Sequence, residues 1–231
     1  RAIVIEFHPS VYGKEGTARC KDVLRAQGFA KQPELSTRFV WTCIRAEITM
    51  DAPKPDSGWA REIVTVAKAC VVPPEARNHV QHTGVLGISG KPVPHAALWR
   101  GKRLLTLPPE APQTSQHLPG KWLWGGTLWR YFPHFIAESV TRLWALDQLD
   151  QSEFDGILFV PKNPTVDDPA QGFQRGLLDL MGCTLPIHEA RSPVQVDELV
   201  VPGQGFGLGE ISQGTPEFRA AIKARFAPDI A

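Results

Sequence analysis

The chain has 231 residues, 42% of them hydrophobic and 21% charged, which is enough apolar side chain for one large or two small buried cores. Lys and Arg number 25 against 24 Asp and Glu, a net charge of +1 with the signs interspersed, so bulk charge gives no reason to expect nucleic acid or an anionic membrane as partner. The four cysteines, Cys20, Cys43, Cys70 and Cys183, show no Cys-x-x-Cys spacing, and no apolar run reaches the ~20 residues that span a bilayer. Neither a zinc or disulfide framework nor a transmembrane helix is predicted, and with no signal-peptide pattern a cytoplasmic location is expected.

The first residue is Arg1 and a strand follows at once, which reads as a piece of something longer. Residues 2–7 are a continuous apolar, β-branched run of the kind buried on both faces. Residues 14–26 place Ala18, Cys20, Val23 and Leu24 at helical spacing, with Gly28 as a C-terminal stop, and residues 39–44 return to strand. This succession, with Val4-Ile5-Glu6-Phe7-His8-Pro9, Leu24 to Phe29 and Trp41 to Arg45, resembles the tail of an FkbM-type methyltransferase. The resemblance implies a short strand-helix-strand remnant of a methyltransferase-like fold over residues 1–46. It does not imply S-adenosylmethionine binding by this chain, because the glycine-rich turn and acidic ribose ligand of such sheets have no counterpart here.

Residues 47–60, with two prolines, a glycine and no periodicity, read as a linker, and residues 61–231 as the main domain. Residues 63–72 are strand-like and stop at Pro73-Pro74. His79, His82 and His95 follow, without a spacing that would hold a metal. Residues 85–88 and 93–99, joined by Ser89-Gly90-Lys91, predict a hairpin, and Arg100-Gly101-Lys102 predicts a second turn before residues 104–107. Residues 108–119 read as a proline-rich surface loop.

Residues 121–126 predict a strand whose glycines, Gly125 and Gly126, let the backbone approach a ligand or the following helix. Within residues 125–149 the two glycines lead into an aromatic-rich turn, and the helix expected behind it, projected at 100° per residue, has Ile136, Val140, Leu143 and Trp144 on one face. His134, Glu138, Thr141 and Arg142 share the other, and the i, i+4, i+8 spacing of His134, Glu138 and Arg142 lets them touch in sequence. Such a trio is most often a solvated face worth a few tenths of a kcal/mol, about 0.3–0.5 per pair.

Beyond it come a strand at 156–160 and a loop with Asp167-Asp168, whose charge suits the start of the next helix and needs no metal. A helix is expected at 173–181, with strands at 185–187 and 196–201. The glycines at 203, 205, 207 and 209 fit neither a dinucleotide nor a phosphate-loop spacing and read as a mobile loop lining a cleft. A last helix starts near Pro216. Strands alternating with helices predict an α/β layer with a largely parallel sheet.

Gly125, Gly126, Tyr131, Phe132, His134, Phe135, Glu138, Arg142, Leu143 and Trp144 resemble the signature of glycosyltransferase family 61, often labelled capsular polysaccharide biosynthesis proteins, and the similarity of context runs over about residues 64–226. The resemblance implies a Rossmann-like layer of the GT-B type, of which this chain would be the acceptor-side half. It implies transfer of a sugar from a nucleotide-sugar donor to a glycan hydroxyl in bacterial surface polysaccharide biosynthesis, with no other cofactor and no metal. It implies His134 as base, Glu138 as its orienting partner and Arg142 as the group that fixes Glu138 or meets a phosphate. Gly125, Gly126, Trp129 and Tyr131 would contact substrate, and the protein would associate peripherally with polysaccharide assembly machinery. The basic, asparagine-containing segment that follows in the family is absent, so this piece alone is expected to be inactive. A carbohydrate-binding or scaffold module of the same fold, and a methyltransferase fusion fragment, are the alternatives.

Overall fold

The computed structural model describes residues 2–26, 29–31, 36, 40–45, 51–166 and 172–227. The chain divides into two compact units, Arg1–Met50 and Asp51–Ala231. In the first, β1 (Ala2–Glu6), α1 (Pro9–Ala26), β2 (Phe29–Lys31) and β3 (Val40–Arg45) form a helix and an antiparallel sheet of order β1-β3-β2. The helical stretch begins earlier than its periodicity predicts and is broken at Gly13, whose φ of 68° no ordinary side chain adopts cheaply. The expected stop at Gly28 lies outside the described residues.

In the second unit the strands are β4 (Ile63–Ala67), β5 (Cys70–Val72), β6 (Gln81–His82), β7 (Gly84–Leu86), β8 (Trp99–Arg100), β9 (Arg103–Leu104), β10 (Thr106–Leu107) and β11 (Gln116–Leu128). After them come the single turn α2 (Phe132–His134), β12 (Gly156–Pro161), α3 (Gly172–Leu180), β13 (Ile187–Glu189), β14 (Val194–Pro202) and α4 (Pro216–Phe226). This is an α/β unit with a mixed, mostly parallel seven-stranded sheet flanked by helices. Spatial order is β13-β12-β11-β14-β5-β7, with β4 also on β14. Strands β13, β12, β11 and β14 run parallel, while β4 and β5 pair antiparallel with successive parts of β14.

Why these segments are strands is visible in their two-residue period. Leu123, Ile157, Phe159 and Val200 fall in one buried cluster, and their neighbours Trp122, Trp124, Leu158, Val160, Leu199 and Val201 fall in the other. Strands apolar at every position therefore have a core on each face, as parallel strands require. Each such side chain contributes about 1.5–3 kcal/mol of burial. Phe135, Val140, Leu143 and Leu178 cover the first face; Val71, Val85 and Ala96 cover the second.

Several expectations are corrected. The run at 63–72 is two strands, because Lys68 turns to φ 52° and breaks the ladder. The hairpin after β7 closes with Gly87 N–H on the Lys91 carbonyl (2.8 Å) but ends at Pro94, which starts a short 3-10 turn. The predicted loop at 108–119 overlaps β11: strand pairing with β14 begins at Gln116, and Pro119-Gly120 is absorbed as a bulge with Gly120 at φ 97°. The strand placed at 185–187 is Ile187–Glu189.

Gly125 lies within the first core and not beside a ligand. A Cβ there would sit 2.4 Å from the Phe159 ring, too close for any side chain. Gly125→Ala should destabilise the protein by about 1–3 kcal/mol in urea denaturation, as overpacking does. Combining it with Phe159→Leu should recover at least about 0.5 kcal/mol against additivity; strictly additive losses would show that the ring is not what the methyl meets.

Candidate functional site

The site is built where β11 leaves the sheet. Ser139 ties the connection back over the strand end: its hydroxyl donates to the Thr127 carbonyl (2.8 Å) and accepts the Trp129 N–H (3.0 Å). Between these anchors the chain does not form the regular helix its periodicity predicts. After α2 comes a π-turn, Phe135–Ser139, with the Val140 N–H reaching five residues back to the Phe135 carbonyl (3.2 Å), and then a 3-10 turn, Leu143–Asp147. The wider turn rotates the faces. Ile136, assigned to the core stripe, is 39% exposed, while Glu138, Thr141 and Arg142 are buried. Such insertions are frequent at functional sites.

Glu138 is the centre of the cluster, with its side chain 1% exposed. Its Oε1 accepts from Arg100 Nε (3.1 Å) and from Arg100 Nη2, and lies 3.2 Å from His134 Nδ1. Arg100 Nη2 is also 3.4 Å from that same Nδ1. Since a carboxylate oxygen only accepts, the closer Glu138 contact calls for a proton on Nδ1, which leaves His134 Nε2 as an acceptor; Arg100 Nη2, which only donates, then bonds the carboxylate and not Nδ1. Glu138 Oε2 is buried without a hydrogen-bond partner among the described residues. The His134 side chain keeps 31% of its exposure, and its ring stacks on Trp129 with centroids 4.3 Å apart. Tyr131, 65% exposed, leans on the same imidazole at 5.8 Å.

Arg100 arrives from a distant part of the chain. It ends β8 at the two-residue turn Gly101-Lys102, the turn that sequence predicts, with Gly101 at φ 60°. Gln204 grips the neighbouring Trp99 backbone on both sides, accepting from its N–H (2.8 Å) and donating to its carbonyl (2.9 Å). The glycine-rich segment after β14 is thus bonded in place, not a mobile loop. Its glycines are demanded by close packing: a Cβ on Gly203 would meet the Trp59 carbonyl at 1.9 Å, and one on Gly209 would meet Gly101 at 2.2 Å.

Arg142 is not in the cluster. The extra residue of the π-turn swings it inward, where Nη1 donates to the Pro202 carbonyl (2.8 Å) and Nη2 to the Ala97 carbonyl (2.7 Å). Its Nε lies 3.2 Å from where a Cβ on Gly126 would be, which, with φ 93°, explains that glycine. Burial pushes the guanidinium down to about 9, still charged at neutral pH. Arg142 therefore pins the end of β14 to the segment before β8, a structural part that neither fixes Glu138 nor faces a phosphate. At Gly125 and Gly126 an added Cβ would meet protein, the Phe159 ring and the Arg142 side chain respectively.

Sequence reasoning missed Arg100 and Lys162. Lys162 directly follows β12, and its N–H continues the ladder to the Leu128 carbonyl (3.1 Å). Its side chain is buried: Nζ donates to the His79 carbonyl (3.0 Å) and stands 5.2 Å over the Trp129 ring. Gln81 holds the His79 segment there by donating to the carbonyls of Ala76 (2.7 Å) and Lys162 (3.0 Å). Desolvation, opposed by the Glu138 charge and aided by Arg100 and Arg77, pushes the Lys162 ammonium down to about 8. The His79 imidazole is lowered as well, by desolvation first and then by Arg103, Arg100 and Lys162. A lysine ending an apolar parallel strand was the signal available in sequence.

His82 and His95 have other surroundings, the Pro108 carbonyl (3.2 Å) and Glu62 (2.9 Å). Among the described residues no group of three or more His, Cys, Asp or Glu is placed to hold a metal ion, and Asp167-Asp168 lie outside them. No helix among the described residues is long and apolar enough to cross a membrane.

Two outcomes follow from these burials. Arg142→Met leaves two carbonyls without their donor and should cost about 2–4 kcal/mol in urea, with Arg142→Lys recovering only part because an ammonium cannot span both. A wild-type midpoint for Arg142→Met would remove the strut. For Lys162, the folded value lies below the ordinary 10.5, so the unfolded chain holds its proton to higher pH. Wild type should therefore gain about 1–3 kcal/mol relative to Lys162→Met as pH rises from about 8 to 10.5; parallel stability curves would contradict the burial of the charge.

The triangle of His134, Glu138 and Arg100 sits at the carboxyl ends of β11 and its neighbours, beside the point where strand order reverses between β11 and β14. Compared with models of known protein families, with curated proteins and with solved structures, the chain matches none, so what points to function is this geometry.

Proposed function

We propose that the protein is a glycosyltransferase of the family 61 kind, moving a sugar from a nucleotide-sugar donor to a glycan hydroxyl in bacterial surface or capsular polysaccharide biosynthesis. In this reading residues 61–231 are the acceptor-side, Rossmann-like half of a GT-B enzyme. Residues 1–46 are the remnant of a methyltransferase-like domain. The protein works in the cytoplasm, peripherally associated with the polysaccharide assembly machinery.

One observation carries the reading: a half-exposed imidazole whose Nδ1 is held by a buried carboxylate (3.2 Å), at the end of a parallel sheet where ligands characteristically bind. His134 Nε2 takes the acceptor hydroxyl proton as the oxygen attacks the anomeric carbon and the anomeric carbon–oxygen bond to the diphosphate breaks, the nucleoside diphosphate leaving with the bonding electrons. Glu138 stabilises the resulting imidazolium, and Arg100 holds that carboxylate in orientation through Nε and Nη2. Trp129 is occupied by stacking on His134 itself, so the aromatic surface open to a sugar ring is that of Tyr131. A single base on one side of the reacting centre gives inversion.

A protein that joins this chain to a donor-binding half should release nucleoside diphosphate when incubated with nucleotide sugars and glycan acceptors, and His134→Ala in that protein should lower the release by about 10²-fold or more. Equal release by a folded His134→Ala variant would remove the base. No acceptor-dependent release from any donor would remove the transferase reading and leave a binding module.

A further inference from the structure

Two features of the cluster are left over once the base is accounted for. Lys162 is 7% exposed, yet among the described residues it has no carboxylate within ion-pair distance; its one hydrogen bond goes to a backbone carbonyl. A buried ammonium normally has a paired anion, because an isolated charge out of water is strongly unfavourable. Arg100 spends Nε and Nη2 on Glu138, and its Nη1 takes no hydrogen bond among the described residues. Beside these two cations stands one carboxylate whose Oε2, equally buried, accepts nothing there. The surroundings thus ask for two things at once, an oxyanion for the cations and a hydroxyl donor for Oε2.

A neutral sugar supplies only the second, and an anion without a hydroxyl only the first. We propose that the acceptor taken by this site is an acidic sugar, bearing a carboxylate or phosphate group that Lys162 and Arg100 hold while a ring hydroxyl donates to Glu138 Oε2. This deepens the acceptor-side reading above and rests on it. The charge balance supports it: Arg77 and Arg103 add to the field felt by Lys162 and His79, with Glu138 the opposing carboxylate. The same oxyanion chemistry is present in a donor diphosphate, so the test must separate the two sources.

Calorimetric titration of the full chain with glucuronate, glucose and inorganic pyrophosphate does so. Glucuronate should bind about tenfold or more tighter than glucose, the worth of one charged hydrogen bond. Lys162→Met and Lys162→Gln, both of which relieve a buried charge and so should fold, should bring the two sugars to within about threefold of each other. Equal affinity for both sugars in wild type would overturn the acidic-acceptor inference and leave carbohydrate binding intact. Pyrophosphate binding without glucuronate binding would overturn it by assigning the cations to the donor. A glucuronate preference that survives both Lys162 variants would place the oxyanion elsewhere. Binding of neither sugar would overturn the inference and the acceptor reading together, whereas nucleoside diphosphate release tests the transferase reading alone.

Discussion

The buried carboxylate of Glu138 constrains everything around it. A side chain 1% exposed can remain ionised only if fixed donors replace the water it lost, and the fold supplies them from two separate places. Arg100 comes from a turn 38 residues upstream, and His134 from one helical turn back. Neither donor is useful unless its backbone is rigid. The two-sided grip of Gln204 on Trp99 and the Ser139 bridge across the end of β11 therefore belong to the site as much as the ionisable groups do. Removing one cation from such a group leaves an uncompensated charge, which is why the cluster acts as a unit.

The π-turn is what reconciles a packed helix face with a chemical one. In a regular helix, Ile136 would face inward and Glu138 would join His134 in solvent, a weak surface pair. One extra residue per turn instead buries Glu138 and Arg142 and exposes Ile136, while Phe135 stays fully buried against the sheet. The conformation is held from outside the turn, by Ser139 on Thr127 and by Arg142 on the Pro202 and Ala97 carbonyls. Local sequence does not specify it.

That difference explains what was legible. The strands β12 and β14 and the helices α3 and α4 show themselves in sequence because burial on one or two faces imposes a period, and because Gly182 and Thr215-Pro216 punctuate the helix ends. His134 and Glu138 as neighbours are legible too, since a spacing of four brings them together in either helix type. Arg142 was misplaced because its direction depends on the number of residues per turn, which tertiary contacts decide. Arg100 was invisible for a different reason: its partner lies far along the chain, and one basic residue at a surface-like turn looks like any other.

Lys162 shows how topology concentrates chemistry at one edge of the sheet. A parallel strand delivers its last residues to the same side as every parallel neighbour, so Leu128, Lys162 and Pro202, although far apart in sequence, end beside one another. Lys162 continues the β11 ladder through its backbone N–H, which fixes its Cα, and the Trp129 ring and His79 carbonyl then fix its ammonium. Trp129 is shared: it stacks on the imidazole and carries the ammonium near its ring, so one side chain positions both groups.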